Sequence, residues 1–212
     1  MISVLLCDDH ALIRRGIRDT LAEAPDLRVV GEAGDYGELR ALLREHTPDV
    51  LVLDIQMPGR SGLDVLQVLR DEGSPIRVLV VSMHPEDQYA LRALKAGAWG
   101  YVNKGDDPQQ LVAAVRSVGQ GRKYISPEVA LMLAENLSTP QNSLPHEKLS
   151  DRELQTLVMI ASGKRLSDIA EELVLSPKTV SVYRARVLEK LGLTNNSELT
   201  VYAIRNHLVQ DS

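Results

Sequence analysis

Val50-Leu51-Val52-Leu53-Asp54 is four aliphatic residues in a row, closed by a carboxylate. An unbroken apolar run, rather than an alternating one, marks a strand buried on both faces, as in a parallel sheet covered by helices. Similar short β-branched runs stand at 4–7, 28–30, 77–81 and 99–102. Between them, apolar residues return with helical spacing over 12–24, 36–46, 63–71, 87–96 and 108–118. Five strand–helix units in succession predict a doubly wound α/β domain with a five-stranded parallel sheet and right-handed crossovers. In such sheets ligands gather at the carboxyl ends of the strands, near the point where strand order reverses. The residues that follow each strand are therefore the first candidates for function.

The whole chain has 212 residues, enough for one large or two small domains. Its hydrophobic share of 44% is that of a globular protein, and with 3% aromatic residues and no Phe the cores must come from Leu, Val, Ile and Ala. No apolar run approaches the roughly 20 residues of a membrane span. The start, Met1 to Asp9, lacks the basic stretch and cleavage site of a signal peptide. A cytoplasmic protein with no membrane partner is the expectation. The single cysteine, Cys7, cannot form an internal disulfide and sits in an apolar strand, which reads as core rather than redox chemistry. The net charge of −5 is unevenly spread: residues 145–212 carry nine basic and nine acidic residues, so the whole acidic excess lies before them.

After Gly119-Gln120-Gly121 the pattern changes. Ser126-Pro127 reads as a cap and first residue of a helix near 127–136, and Ser138 to Pro145 reads as a polar, Pro-bearing linker. Four helical stretches follow with no strand pattern: 151–162, 168–173, 177–191 and 197–208. Ser150, Ser167 and Ser176 are the expected caps of the first three, and Ser150-Asp151-Arg152-Glu153 has the capping-box form. The domains are thus expected at 1–121 and 148–212, with 122–147 as a linker containing the helix near 127–136.

Asp8 and Asp9 follow the first strand and Asp54 ends the third, so parallel packing brings three carboxylates to one rim. Such a group repels itself unless a cation joins it, and a Mg²⁺ or Mn²⁺ site built of oxygen ligands is the natural solution. Ser82 follows the fourth strand and Lys104 the fifth, so both reach the same rim. A lone Asp is usually a turn residue and a lone Lys a solvated charge; here complementary polar residues end four of five buried strands. A Lys beside carboxylates and a divalent ion is equipment for handling phosphoryl charge.

With Asp8-Asp9, Leu53-Asp54-Ile55-Gln56-Met57-Pro58 followed by Gly62, Ser82, Tyr101 and Lys104 in place, residues 1–120 resemble the receiver domains of two-component systems, a flavodoxin-like fold. The resemblance implies that Asp54 accepts a phosphoryl group from a sensor histidine kinase. It implies Asp9, Asp54 and the Gln56 backbone carbonyl as direct metal ligands, with Asp8 acting through water. Lys104 and Ser82 would bind phosphoryl oxygens, and Tyr101 would turn inward with Ser82. Trp99 reads as packing. Gln56 and His84 border the site, where the family places residues that tune dephosphorylation; a solvent-exposed loop histidine is the plainer reading of His84. Many receivers have Pro after the Lys; Gly105 here puts the loop geometry in question.

In the second domain, 168–173 and 177–191 are helices joined by a very short turn, the spacing of a helix-turn-helix. Val180, Val187 and Leu191 would face the core, with Leu188 at its margin, and Lys178, Ser181, Val182, Ala185 and Arg186 the other side. Lys178, Arg184, Arg186 and Lys190 against Glu189 give this helix a local charge of +3. A solvated basic face would look the same by charge alone. The wider pattern decides: Leu149-Ser150-Asp151-Arg152-Glu153, Ile169-Ala170, Leu175-Ser176-Pro177-Lys178-Thr179-Val180 and Glu189-Lys190-Leu191-Gly192-Leu193 resemble the all-α, four-helix LuxR-type domain of the NarL/FixJ response regulators. This implies double-stranded promoter DNA as partner, major-groove contact by the third helix, and a homodimer. Arg184 and Lys190 are candidates for backbone phosphates or for solvent. Leu199, Tyr202, Ala203 and Leu208 are candidates for a dimer seam or for the domain's own core.

Together these imply a phosphorylation-dependent transcriptional regulator, with RNA polymerase a candidate further partner, and not a conventional enzyme beyond self-dephosphorylation. A Mg²⁺-dependent phosphohydrolase would share the acidic site but needs a second carboxylate two residues after the nucleophile, where Gln56 stands. A regulator binding DNA regardless of phosphate is the other alternative.

Overall fold

The computed structural model describes residues 1–57, 59–83, 86–138, 144–206 and 208–209. The chain divides into two compact units, Met1–Ser138 and Thr139–Ser212. In the first, β1 (Ile2–Cys7), β2 (Leu27–Ala33), β3 (Val50–Asp54), β4 (Arg77–Ser82) and β5 (Gly100–Asn103) form one parallel sheet in the order β2-β1-β3-β4-β5. Helices α1 (Ala11–Ala22), α2 (Tyr36–Glu45), α3 (Gly62–Asp71), α4 (Glu86–Ala96) and α5 (Pro108–Gly119) alternate with them. This is the doubly wound sheet that the apolar runs predict. β3 is buried along its whole length, while β2, at the edge, is mostly half-exposed. Val4, Leu6, Val50 and Val52 join Ile17, Leu21, Leu111, Val115 and Val118 of α1 and α5 in one core. Leu5, Leu51 and Leu53 point to the opposite face by the alternation of a strand, and they too are fully buried. Both faces being dry explains why the sequence shows runs and not alternation.

The helix assigned to the linker belongs elsewhere. α6 (Pro127–Ser138) packs on α4 within the first unit. The segment before it is fastened to the sheet: the Tyr124 N–H donates to the Trp99 carbonyl at 2.9 Å, and Tyr124 bridges Gly100 at the outer edge of β5. Val129 is then driven into the interior. The compact unit therefore runs to Ser138 rather than to 121. The cause is hidden in the sequence, because one short edge pairing does not leave a strand pattern.

The second unit has α7 (Asp151–Ala161), α8 (Leu166–Glu172), α9 (Pro177–Leu191) and α10 (Asn196–Arg205), after a 3₁₀ turn at Pro145–Lys148. The Ser150 capping box is present: its N–H donates to Glu153 Oε2 at 2.7 Å and its Oγ accepts from the Glu153 N–H at 3.4 Å. Ser176 caps α9. Ser167 is not a cap. α8 begins one residue before it, and the Arg165 N–H donates to the Asp168 carboxylate at 3.4 Å in the capping position. Between α8 and α9, Val174 has φ +52°, a left-handed conformation that a β-branched residue adopts under strain.

Gly62 shows how tightly the first unit is closed around Asp54. Its N–H donates to the Ile55 carbonyl at 2.8 Å, and a Cβ built on it would lie 2.1 Å from the Asp54 carbonyl oxygen. Backbone cannot move aside as a side-chain tip can. We expect Gly62→Ala to lower unfolding free energy by about 2 kcal/mol or more, as overpacking does; a urea midpoint equal to that of the unsubstituted protein would show that this loop yields.

Candidate functional site

Parallel register carries the ends of β1, β3, β4 and β5 to one rim: Cys7 pairs with Leu53, Asp54 with Val81, and Ser82 with Asn103. Lys104 Nζ lies 2.7 Å from Asp8 Oδ2 and 2.8 Å from Asp54 Oδ2. All three side chains are almost fully buried. The Lys104 N–H donates to the Ser82 carbonyl at 2.8 Å, which zips the loop after β5 onto β4. Ser82 and Tyr101 are both buried. The Gln56 N–H donates to Asp54 Oδ1 at 3.3 Å. At Gly105 the loop uses a donor that proline lacks: its N–H reaches Asn103 Oδ1 at 2.8 Å.

Three carboxylates, Asp8, Asp9 and Asp54, face one ammonium, which leaves two negative charges. Asp8 Oδ2 and Asp9 Oδ1 are buried atoms within ion-pair reach of Lys104 and His10, yet neither accepts a well-directed hydrogen bond. Asp8, Asp9, His10 and Asp54 can bring one ligand atom each within 4.8 Å of one another. The donor set fits a divalent cation. His10 does not stand out in the sequence. Cys7 is core, as expected: its Sγ is 3.3 Å from Met57 Sδ, and its thiol is pushed up to about 12 by burial first and by Asp8 and Asp54 next. Trp99 is a packing residue at the margin of the core, with the Arg77 guanidinium 5.5 Å from its ring centroid.

Burial also pushes the Asp54 carboxyl up, to about 6, against the pull of Lys104 and with help from Asp8. A value above the usual 3.8 means that folding favours the protonated acid. The stability this group contributes is complete below pH about 4 and is lost as pH rises through about 6. In metal-free buffer at pH 7.5, Asp54→Asn should therefore be more stable than the unsubstituted protein by about 2–3 kcal/mol, and the gain should vanish at pH 4. Chemical denaturation at the two pH values decides it; equal stabilities at both would mean that Lys104 fully compensates the buried charge.

In the second unit, Lys178, Ser181, Val182, Ala185 and Arg186 lie together on the exposed side of α9. Val180, Val187 and Leu188 are buried on the other side, and Leu191 is only half-buried, so Leu188 rather than Leu191 completes the inner stripe. Arg184 is half-buried, and its Nε donates to Asn196 Oδ1 at 2.6 Å.

Two models of protein families match. The response regulator receiver domain matches residues 4–116, and the luxR family of bacterial regulatory proteins matches residues 147–203. This chain is a response regulator. Like others of the NarL/FixJ group, it joins a receiver to a LuxR-type helix-turn-helix and is a phosphorylation-dependent regulator of transcription. The response regulator GacA of Pseudomonas aeruginosa is 41% identical over 210 residues, spanning 99% of this chain and 98% of that one. RcsB of Salmonella enterica serovar Typhimurium, bound to promoter rprA with the phosphomimetic BeF3−, superposes with a TM-score of 0.65 at 27% identity, over 95% of this chain and 97% of that one. A structure of two RcsB dimers bound to two parallel DNAs gives a TM-score of 0.60 at 26% identity, over the same shares. No helix among the described residues is long and apolar enough to cross a membrane.

The structure chooses among the readings left open for two site candidates of the response regulator. The candidate dimer seam is occupied by internal packing: Leu199, Ala203 and Leu208 are buried, and the Tyr202 hydroxyl lies 3.0 Å from His146 Nδ1. Lys190 does not stand ready for a phosphate. Its Nζ is 2.6 Å from Oε2 of Glu153, whose side chain is 3% exposed. Burial opposes ionisation of Glu153, yet Lys190 and Ser150 hold its carboxyl below the usual range. Pro58 and His84 lie outside the described residues. Lys190→Met should cost about 1–2 kcal/mol, less than a fully buried pair because the lysine is partly solvated. The check is the urea midpoint of the full chain; no change there would return Lys190 to the DNA candidates.

Proposed function

We propose that Asp54 is the phosphoacceptor of this response regulator and that the exposed side of α9 reads promoter DNA. The observation that carries the first part is the buried Asp8–Lys104–Asp54 ion cluster at the carboxyl ends of β1, β3 and β5. A carboxylate oxygen of Asp54 attacks the phosphorus of a phosphohistidine on the sensor kinase. The new P–O bond forms as the P–N bond breaks, and the donor nitrogen keeps the electron pair. Lys104 already stands where the transferred oxygens arrive, so its charge stabilises them without reorganisation. The Ser82 hydroxyl turns to hydrogen-bond one of these oxygens, and Tyr101 fills the space beside it. Asp9, Asp54 and the Gln56 carbonyl would hold Mg²⁺ or Mn²⁺ directly, with Asp8 through water; the ion supplies neutralising positive charge. The protein is a phosphoacceptor that can dephosphorylate itself, not a conventional enzyme.

Lys178, Ser181, Val182, Ala185 and Arg186 support the DNA reading as one solvent-facing surface on a helix whose opposite side is core. Small Ser181 and Ala185 allow close approach to base edges. A homodimer matches the paired half-sites that helix-turn-helix proteins read. Phosphorylation releases the second unit from restraint by the receiver, uncovers its DNA surface, or promotes the dimer.

Incubating the protein and its Asp54→Ala variant with a small phosphodonor and Mg²⁺ tests the acceptor. Intact mass should rise by about 80 Da, one phosphoryl group, in the unsubstituted protein only. For the interface, Arg186→Ala and Lys178→Ala should weaken duplex binding and flatten its salt dependence by about one unit for each phosphate that is no longer neutralised. A mass gain that survives Asp54→Ala, or a salt slope unchanged by both substitutions, would refute the corresponding half.

A further inference from the structure

His10 follows the paired carboxylates directly and is the N-cap residue of α1, yet its imidazole makes no capping bond. Its backbone is fixed over the rim, because its N–H donates to Asp8 Oδ1 at 2.8 Å. The ring lies with Nδ1 2.7 Å from Asp9 Oδ1 and 3.7 Å from Asp8 Oδ1. Those separations have a chemical meaning. Donor atoms about 2.1 Å from one octahedral ion stand about 3.0 Å apart when adjacent and about 4.2 Å apart when opposite. The Nδ1 and Asp9 Oδ1 atoms stand close to the adjacent separation, Asp8 lies farther off as a water-mediated ligand would, and Asp54 completes a set gathered within 4.8 Å. The ring is 60% exposed and so can adjust by rotation without repacking a core.

We propose that His10 is a further ligand of the cation site, giving it one nitrogen donor among oxygens, and that the site in consequence prefers borderline divalent transition ions over Mg²⁺. This rests on the reading of Asp9 and Asp54 as metal ligands. Imidazole suits Ni²⁺ and Zn²⁺, and affinity rises from Mn²⁺ through Co²⁺ to Ni²⁺, whereas Mg²⁺ gains little from nitrogen and keeps its waters. An all-oxygen rim would hold these ions with much less discrimination. The site would then respond to which divalent ion is abundant, as well as to the phosphodonor.

The test is calorimetric titration of the tag-free full chain, at one fixed pH, with Ni²⁺ and with Mg²⁺. The protein is compared with His10→Ala and with Asp9→Asn as the marker of the site. The expected result is that His10→Ala lowers the ratio of Ni²⁺ to Mg²⁺ affinity by about tenfold or more. Retention of the full ratio in His10→Ala, with Asp9→Asn weakening both ions, would overturn the histidine ligand and leave the acidic site standing. Binding of both ions indifferent to Asp9→Asn would overturn the metal site itself, and the proposal with it. Circular dichroism of the variants separates ligand loss from unfolding, and rescue of the ratio by Asp in place of His10 would also overturn the proposal, since it would show that charge and not nitrogen sets it.

Discussion

Lys104 places one ammonium between two buried carboxylates, 2.7 Å from Asp8 and 2.8 Å from Asp54. Burial pushes the Asp54 carboxyl upward, and the Lys104 charge pulls it back. The arrangement is possible only because β1, β3 and β5 run parallel and end at one rim, so the ion cluster and the sheet topology require each other. The loop after β5 is held in turn by the Lys104 N–H on the Ser82 carbonyl. The charge of Lys104 is thus already desolvated beside both acids.

The remaining two negative charges make the site incomplete by electrostatics alone. A divalent cation held by these residues would bring it to balance. Stability and function oppose each other here, as in many sites where charge is buried without full compensation. The rigid surroundings, such as Gly62 against the Asp54 carbonyl, keep the opposition from being relieved by local collapse.

Much of this is legible in the sequence for one reason: strands buried on both faces announce themselves as apolar runs, and the residues that close them are where parallel sheets do chemistry. Asp8, Asp54, Ser82 and Lys104 can be found by that rule alone. His10 cannot, because nothing in the sequence says that its ring lies beside the Asp9 carboxylate. α6 reads as part of a linker because the short pairing that precedes it at the edge of β5 leaves no strand pattern. Leu199, Tyr202 and Ala203 share a face with helical spacing, but spacing does not say whether a face meets its own domain or a second copy. Lys190 reads as an open cation because its partner, Glu153, is thirty-seven residues away and looks like a capping residue, which it also is.

The division of labour along α9 has a consequence for change over time. Lys190, Val180, Val187 and Leu188 hold the helix to its domain, while Lys178, Ser181, Val182, Ala185 and Arg186 lie on its exposed side. Substitutions at exposed positions cost within about 0.5 kcal/mol of fold stability. That exposed side can thus be rewritten residue by residue without touching the scaffold that presents it. On the proposed reading of α9, a chain built this way can be retargeted to new operators while its receiver and its fold stay as they are.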